Sequence, residues 1–305
     1  SLELERTLEG VGGQLTVDAI NGELSADTLK GPFKFKGSAR VGSVARDIRF
    51  STAPADNEGV VHLKAAMYGD AGVNSYVFDG ALRDFTTAPK ITGDLTGKIF
   101  LSPPATSDAD ASREPPPVLN LKTATTANVS GATFENVELE LDGAAEPQIL
   151  TGAASANWAN DLKFATKLTA KWLDLDMLAA PHGQQAGIDG LRQLFVALVE
   201  GLGGNGSATV QVAIDQAKFG GEQAGALDLD AERHQDVVTL RRLSGGLPGG
   251  ARIDLSGKIA GTKRDDKTFI GEGTVRGVNF ARVQAFAKKS GIDIDLKSDG
   301  PFWVA

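Results

Sequence analysis

Residues Leu150–Leu178 read LTGAASANWANDLKFATKLTAKWLDLDML, and residues Leu255–Val283 read LSGKIAGTKRDDKTFIGEGTVRGVNFARV. The two stretches align without a gap at an offset of 105, which takes position 152 to position 257. The identical positions are Leu150, Gly152, Asp161, Phe164 and Thr169, which match Leu255, Gly257, Asp266, Phe269 and Thr274. Self-similarity at a fixed spacing is typical of repeated structural units. We therefore expect the chain to contain at least two copies of one unit.

Each copy has the pattern of a strand, a turn, a second strand and a short helix. The first strand runs into the shared glycine, a polar turn follows, and near-alternating apolar and polar residues after it indicate the second strand. Asp174 and Asn279 hold the same place near the end of the two copies, just before a short apolar stretch. Both residue types are favoured at the N-cap of a helix, so a helix is expected to begin after each of them.

The composition indicates a folded chain with a small-residue, aliphatic core. Of 305 residues, 41% are hydrophobic, 6% are aromatic and 37 are glycine. The net charge of −8 and the lack of a basic cluster argue against nucleic-acid binding. The chain has no cysteine, which excludes disulfides, thiolate metal sites and cysteine nucleophiles. No run of 18 apolar residues is present, so we expect any membrane anchor to lie outside this segment.

The order of the patterns predicts a mainly β fold of repeated antiparallel units with a few short helices. A β-rich N-terminal unit is expected over residues 1–101, with strands at 14–20, 31–40, 45–52, 60–66, 75–81 and 91–101. Residues 102–117 are rich in Pro, Ser and Asp and are interpreted as a loop or linker. Repeat units are expected over residues 118–205, which include a helix at 188–202, and over residues 206–305. Lys288 and Lys289 suit the end of a further helix.

The search for catalytic chemistry finds no nucleophile, acid–base pair, metal site or cofactor motif to propose. The histidines are scattered without metal-ligand spacing, at His62, His182 and His234. Residues 201–206 match a dinucleotide fingerprint, but they follow a helix and precede a strand, the reverse of the required context. The Asp-x-Asp pairs Asp174/Asp176 and Asp293/Asp295 are better explained by a helix cap and the polar face of a strand.

Several segments resemble the AsmA-like proteins of Gram-negative bacteria. The likeness is carried by WLDLDML (172–178), by LPGGARIDLSG (247–257), by the strands over 206–246, and more loosely by FDGALRDFTTAPKITGDLTG (78–97). It covers most of residues 75–287, and residues 1–74 match poorly. The resemblance implies a periplasmic protein tethered to the inner membrane by a helix that this chain lacks. It also implies an elongated, curled antiparallel sheet, similar to the TamB type, whose apolar inner face carries phospholipid between the membranes.

Alternating strands require that one apolar face be covered, either by a second sheet or by a ligand. Sequence alone leaves a closed sandwich and an open groove for acyl chains both possible, and the resemblance favours the groove. The candidate groove-lining residues share apolar character and alternation: Phe164, Leu168, Trp172, Val210, Val212, Ile214, Leu227, Leu229, Ile253, Leu255 and Phe269. Phospholipid or another acyl lipid is therefore the expected partner.

Two further hypotheses belong to other functional classes. One is a scaffold for outer-membrane protein assembly that binds extended strands at its sheet edges. The other is an enzyme, for instance a glycan-active β-protein, which requires two carboxylates converging in a pocket.

Overall fold

The computed structural model describes residues 17–28, 31–41, 44–69, 73–100, 118–142, 146–179, 206–234, 237–248, 250–260, 268–289 and 302–304. These residues are mainly in β-strands, as the sequence predicted. The predicted helix at 188–202 and the predicted loop at 102–117 lie outside the described residues. The chain divides into two units, the first comprising residues 1–143 with 153–163 and the second comprising residues 144–152 with 164–305.

The first unit is an antiparallel meander. Its strands are β1 (Val17–Ala26), β2 (Phe33–Val41), β3 (Val44–Thr52), β4 (Val61–Tyr68), β5 (Ser75–Arg83), β6 (Lys90–Phe100), β7 (Val118–Asn128) and β8 (Gly131–Leu141). Each strand pairs with the next one along the chain. Residues 14–16 of the predicted strand at 14–20 lie outside the described residues, and β1 continues beyond the predicted end to Ala26.

Apolar and charged residues of the first unit separate onto opposite faces. The register places Phe35 of β2 opposite Phe50 of β3, and it continues across the next strands through Ala65, Phe78 and Leu95. Directly opposite residues of an antiparallel pair project to the same face, so these residues form one apolar row. The other face carries ion pairs between neighbouring strands, Lys64–Asp79 and Lys122–Glu138, each at 3.2 Å.

The second unit contains the second copy of the repeat and the part of the first copy that lies outside residues 153–163. Its elements include β9 (Ile149–Asn157), whose first residues belong to this unit, β10 (Lys163–Asp174) and helix α1 (Leu175–Ala179). They continue with β11 (Ser207–Phe219), β12 (Glu222–Ala224), β13 (Leu227–His234), β14 (Val237–Leu247), β15 (Ala251–Ala260), β16 (Thr268–Gly277), helix α2 (Phe280–Lys289) and β17 (Phe302–Val304). From β11 onward, each strand pairs antiparallel with a neighbour in chain order.

The repeat seen in the sequence is a repeat in the structure. The first copy forms β9, β10 and α1, and the second copy forms β15, β16 and α2 at corresponding positions. Both caps are confirmed: the Asp174 carboxylate accepts hydrogen bonds from the N–H groups of Asp176 and Met177, at 3.0 and 3.2 Å. The Asn279 side chain accepts one from the N–H of Arg282, at 3.1 Å. Helix α2 also ends at Lys289, where the basic residues predicted its C-terminus.

Candidate functional site

The candidate site begins with an apolar face on the meander of the second unit. Val212 lies opposite Leu229, which lies opposite Leu243, which in turn lies opposite Leu255. These four residues form one row across four strands. The neighbouring row runs from Ile214 through Leu227 and Gly245 to Ile253 and Val275.

A β-bulge in β14 keeps the apolar residues on either side of it on the same face of the sheet. Asp230 lies opposite Arg242 and Ala231 lies opposite Leu240, so one extra residue, Arg241, is inserted into β14. In a regular strand, one extra residue would move every later side chain to the other face of the sheet. A bulge confines this change to the residues around the extra one. Leu240 and Leu243 consequently lie on the same apolar face, and the exposed guanidinium of Arg241 pairs with Glu232.

Most of the predicted groove residues are brought together on this face. Val210 and Ile214 are buried, at 5% and 7% exposure. The half-buried members are Val212, Leu227, Leu229, Ile253 and Leu255. Position 269 pairs with Ile259 at one end of the β15–β16 ladder, but the Phe269 side chain lies outside the described part of the structure.

The predicted residues of β10 also share one face. Phe164, Leu168 and Trp172 alternate with exposed lysines and are each half-buried. Trp172 lines a cavity together with Gln216 of β11, and Asp174 contacts Lys218 of the same strand. Because side chains alternate along a strand, the three candidates of β10 lie on the same face as Asp174. For the same reason, Val210, Val212 and Ile214 of β11 lie on the same face as Lys218. The candidates of β10 and β11 therefore lie on one face of the second unit.

The cavity at this end has a volume of about 420 Å³ and is open to solvent. Its lining is mostly polar, consisting of Glu146, Trp172, Gln216, Lys218 and Gln223. Strands β10 and β11 both reach it at their C-terminal ends, at Asp174 and Phe219. The apolar candidates of β11 precede the cavity, as do Phe164 and Leu168 of β10, while Trp172 lines it. The face therefore changes from apolar to polar along both strands.

Asp174 is the most connected residue beside the cavity. Its Oδ2 atom lies 2.9 Å from the Nζ atom of Lys218, while its Oδ1 atom caps α1. Its backbone N–H donates to Oε1 of the buried Gln148, at 2.6 Å. The other end of that amide, Nε2, lies 3.5 Å from the Sδ atom of Met177 in α1. These contacts fix the carboxylate, which is 11% exposed, at the junction of β10, α1 and β11.

Asp176 ties α1 to the turn between β11 and β12. Its two carboxylate oxygens each accept a hydrogen bond of 2.8 Å, from the N–H groups of Gly220 and Gly221. Both glycines have positive φ, +63° and +77°, as the two central residues of a tight hairpin turn require. Asp176 thus anchors the hairpin that carries Lys218 and Gln223.

The carboxylate partner of Lys218 favours the protonated form of its side chain. The hydrogen bond to Asp174, and then the negative charge of that residue, raise the pKa of Lys218 above its ordinary value of 10.5. Desolvation opposes this shift, and the charge of Asp176 adds to it. With 40% of its side chain exposed, the ammonium group also faces solvent.

For the Asp174/Asp176 pair, the sequence predicted a helix cap, and this prediction is confirmed. Asp176 lies in the helix that Asp174 caps, and it binds the turn. Sequence reasoning missed Lys218 and Gln148 as partners of Asp174, and it missed Gln216 as a residue that lines the cavity. One signal was present in SATVQVAIDQAKF: the apolar series at 210, 212 and 214 is continued at the same alternation by Gln216 and Lys218.

No group of metal-ligating side chains is found among the described residues. His62 and His234 are exposed, while His182, Asp293 and Asp295 lie outside the described ranges. Within those ranges, neither helix has the length and apolar character needed to cross a membrane. No family model, curated protein or solved structure matches this chain.

Proposed function

We propose that this chain is a non-enzymatic, lipid-binding segment of an AsmA-like protein of the bacterial periplasm, where it moves phospholipid between the two membranes. The observation that carries the proposal is the pair of in-register apolar rows on the second unit, with Val212, Leu229 and Leu255 in one and Ile214, Leu227 and Ile253 in the other. The sequence segments that resemble AsmA-like proteins contribute most of these strands.

Half-burial of the aliphatic side chains is what a reversible acyl-chain surface requires. Val212, Leu229 and Leu255 retain accessible area within the described structure, and a lipid chain lying along the rows would remove that area from water. Burial of each methylene group contributes about 0.8 kcal/mol, so contact with several methylenes offsets the cost of removing a lipid chain from a membrane. The opposite face carries Asp228, Arg252 and Lys258, which are exposed and suited to water.

The test is lipid extraction followed by mass spectrometry on detergent-free purified protein, with a denatured sample as control. We expect phospholipid in the native sample, and a loss of most of it in Leu229→Asp and in Leu255→Asp. Ile270→Asp is the matched control because Ile270 is an aliphatic residue of β16 that is 72% exposed and pairs with Lys258, on the other face. Equal lipid content in all three variants, with the fold retained, would contradict the proposal.

A second candidate function is the binding of extended outer-membrane protein strands at a sheet edge. It is favoured by the difference in length between β16 and its neighbour β17. Strand β16 has 10 residues, and in the described part of the structure β17 pairs with just three of them, residues 275–277. Unpaired strand edges are templates for β-augmentation. Photo-cross-linking from position 270 to an extended strand peptide would support this candidate, and a lack of adduct would remove it.

A further inference from the structure

The polar cavity lies at the end of the proposed acyl-chain face and on the same side of the sheet. On β11 the apolar positions 210 to 214 cover about 13 Å of strand, and Gln216 and Lys218 follow on the same face. On β10, Phe164 and Leu168 are followed by Trp172, which lines the cavity. Trp is favoured where an apolar environment meets a polar one. A ligand that is apolar along most of its length and polar at one end matches this arrangement.

The cavity presents both signs of charge. Lys218 has three N–H donors, and Asp174 accepts from one of them. Glu146 is exposed, and no hydrogen bond or ion pair engages its carboxylate among the described residues. Gln216 and Gln223 are exposed and supply neutral amide donors and acceptors, with Gln223 directly opposite Lys218 in the β11–β12 ladder.

We propose that this cavity binds the headgroup of a zwitterionic phospholipid that carries a primary ammonium group. Lys218 and the amides of Gln216 and Gln223 bind the phosphodiester. Glu146 binds the ammonium group, beside the indole of Trp172, since ammonium groups are attracted both to carboxylates and to aromatic rings. This inference rests on the proposed function, because the acyl chains of the same lipid occupy the apolar face.

The local charge distinguishes this headgroup from an anionic one. The carboxylate of Asp174 already balances Lys218, so Glu146 adds a negative charge at the cavity. A headgroup with a phosphodiester and no cation leaves that carboxylate unpaired beside another anion. Glu146 therefore makes the cavity favour a headgroup that carries an ammonium group over an anionic headgroup.

The experiment uses the full chain and vesicles with identical acyl chains, containing equal amounts of phosphatidylethanolamine and phosphatidylglycerol. Bound lipid is extracted after the vesicles are removed, and the ratio of the two headgroups is measured. We expect wild type to favour phosphatidylethanolamine, and Glu146→Gln to lower the ratio about threefold by weakening the binding of phosphatidylethanolamine. Lys218→Met is expected to reduce the binding of both lipids.

The matched control is Glu222→Gln. Glu222 is an exposed carboxylate of the same hairpin, but it pairs with Phe219 and so lies on the opposite face from Lys218 and Gln223. Its substitution should leave the ratio as in wild type. Lipid bound by wild type without headgroup preference, or a preference that survives Glu146→Gln, would overturn this inference and leave the proposed function standing. Wild type that binds neither lipid would overturn both.

Soluble glycerophosphoethanolamine, which has the same headgroup and no acyl chain, separates the lipid from a free headgroup compound. We expect its binding to be at least tenfold weaker than that of the lipid in the same assay. Equal binding of the two would overturn the assignment of the cavity to a lipid.

Discussion

The ammonium group of Lys218 lies 2.9 Å from the Oδ2 atom of Asp174, and this contact joins the C-terminal ends of β10 and β11. The two residues are far apart in the chain, and the other oxygen of the same carboxylate caps α1. The carboxylate of Asp174 therefore connects helix α1, at the end of the first repeat copy, to strand β11, which carries Gln216 and Lys218 of the cavity.

Asp174→Ala is expected to destabilise the second unit by about 1–3 kcal/mol. It removes the cap of α1 and leaves Lys218 without its carboxylate partner. Denaturant unfolding measures the difference in free energy. Asp228→Ala is the matched control, because Asp228 is an exposed aspartate of β13, and an equal loss in both variants would show that the contacts of Asp174 contribute nothing.

The stability that Lys218 contributes is expected to disappear at alkaline pH. Since Asp174 raises the pKa of Lys218 in the folded state, this contribution is fully present below its ordinary pKa of 10.5 and is lost as pH rises through the higher, folded value. The difference in free energy of unfolding between wild type and Lys218→Met should therefore be largest near about pH 8 and shrink above about pH 10.5.

Lys171→Met serves as the control for that pH series. Lys171 is an exposed lysine on the opposite face of β10. Its variant should differ from wild type by the same small amount at every pH. A difference for Lys218→Met that grows as pH rises would contradict the predicted direction of the pKa shift.

Asp176→Ala is expected to release the turn at Gly220 and Gly221. The two N–H groups lose their carboxylate acceptor, so their hydrogen exchange should become faster by about tenfold. Asp176→Asn keeps one acceptor oxygen and should give a smaller change. Unchanged exchange at both glycines in Asp176→Ala would show that the anchor is unimportant for the hairpin.

The repeat itself predicts that Asn279 does for α2 what Asp174 does for α1. Asn279→Ala should cost about 1 kcal/mol through loss of the hydrogen bond to the N–H of Arg282, whereas Asn279→Asp should keep the cap. Hydrogen exchange at the first turn of α2 reads out the effect locally. Equal exchange in the alanine and aspartate variants would contradict the role of Asn279 as a cap.

Sequence predicted those parts of the fold that depend on local patterns. Alternation located the strands, because side chains of a strand point to opposite faces, and the gapless offset located both helix caps. Register was not predictable, since which residue of β13 lies opposite Val212 depends on pairing across the sheet. The bulge at Arg241 shows this: RRLSGG carries no local sign that one residue is extra, yet it decides which side chains share a face with Leu243.

The candidate site was predictable only in its apolar half. Alternation identifies Val210, Val212 and Ile214. The role of Lys218, in contrast, depends on its contact with Asp174, which is remote in the chain. Gln148 is buried and polar. Nothing in the sequence around it indicates that its side-chain oxygen accepts a hydrogen bond from the N–H of Asp174. Such contacts arise from tertiary structure and leave no period in the sequence.

The most direct test of the central claim is site-specific photo-cross-linking to phospholipid in vesicles, from a photoreactive residue placed at position 229 or at position 270. Position 229 lies in the apolar row with Val212 and Leu255, and position 270 lies on the opposite face. The proposed function predicts a lipid adduct from position 229 and little or none from position 270. Equal adducts from both positions, or none from position 229, would contradict the claim that this face carries acyl chains.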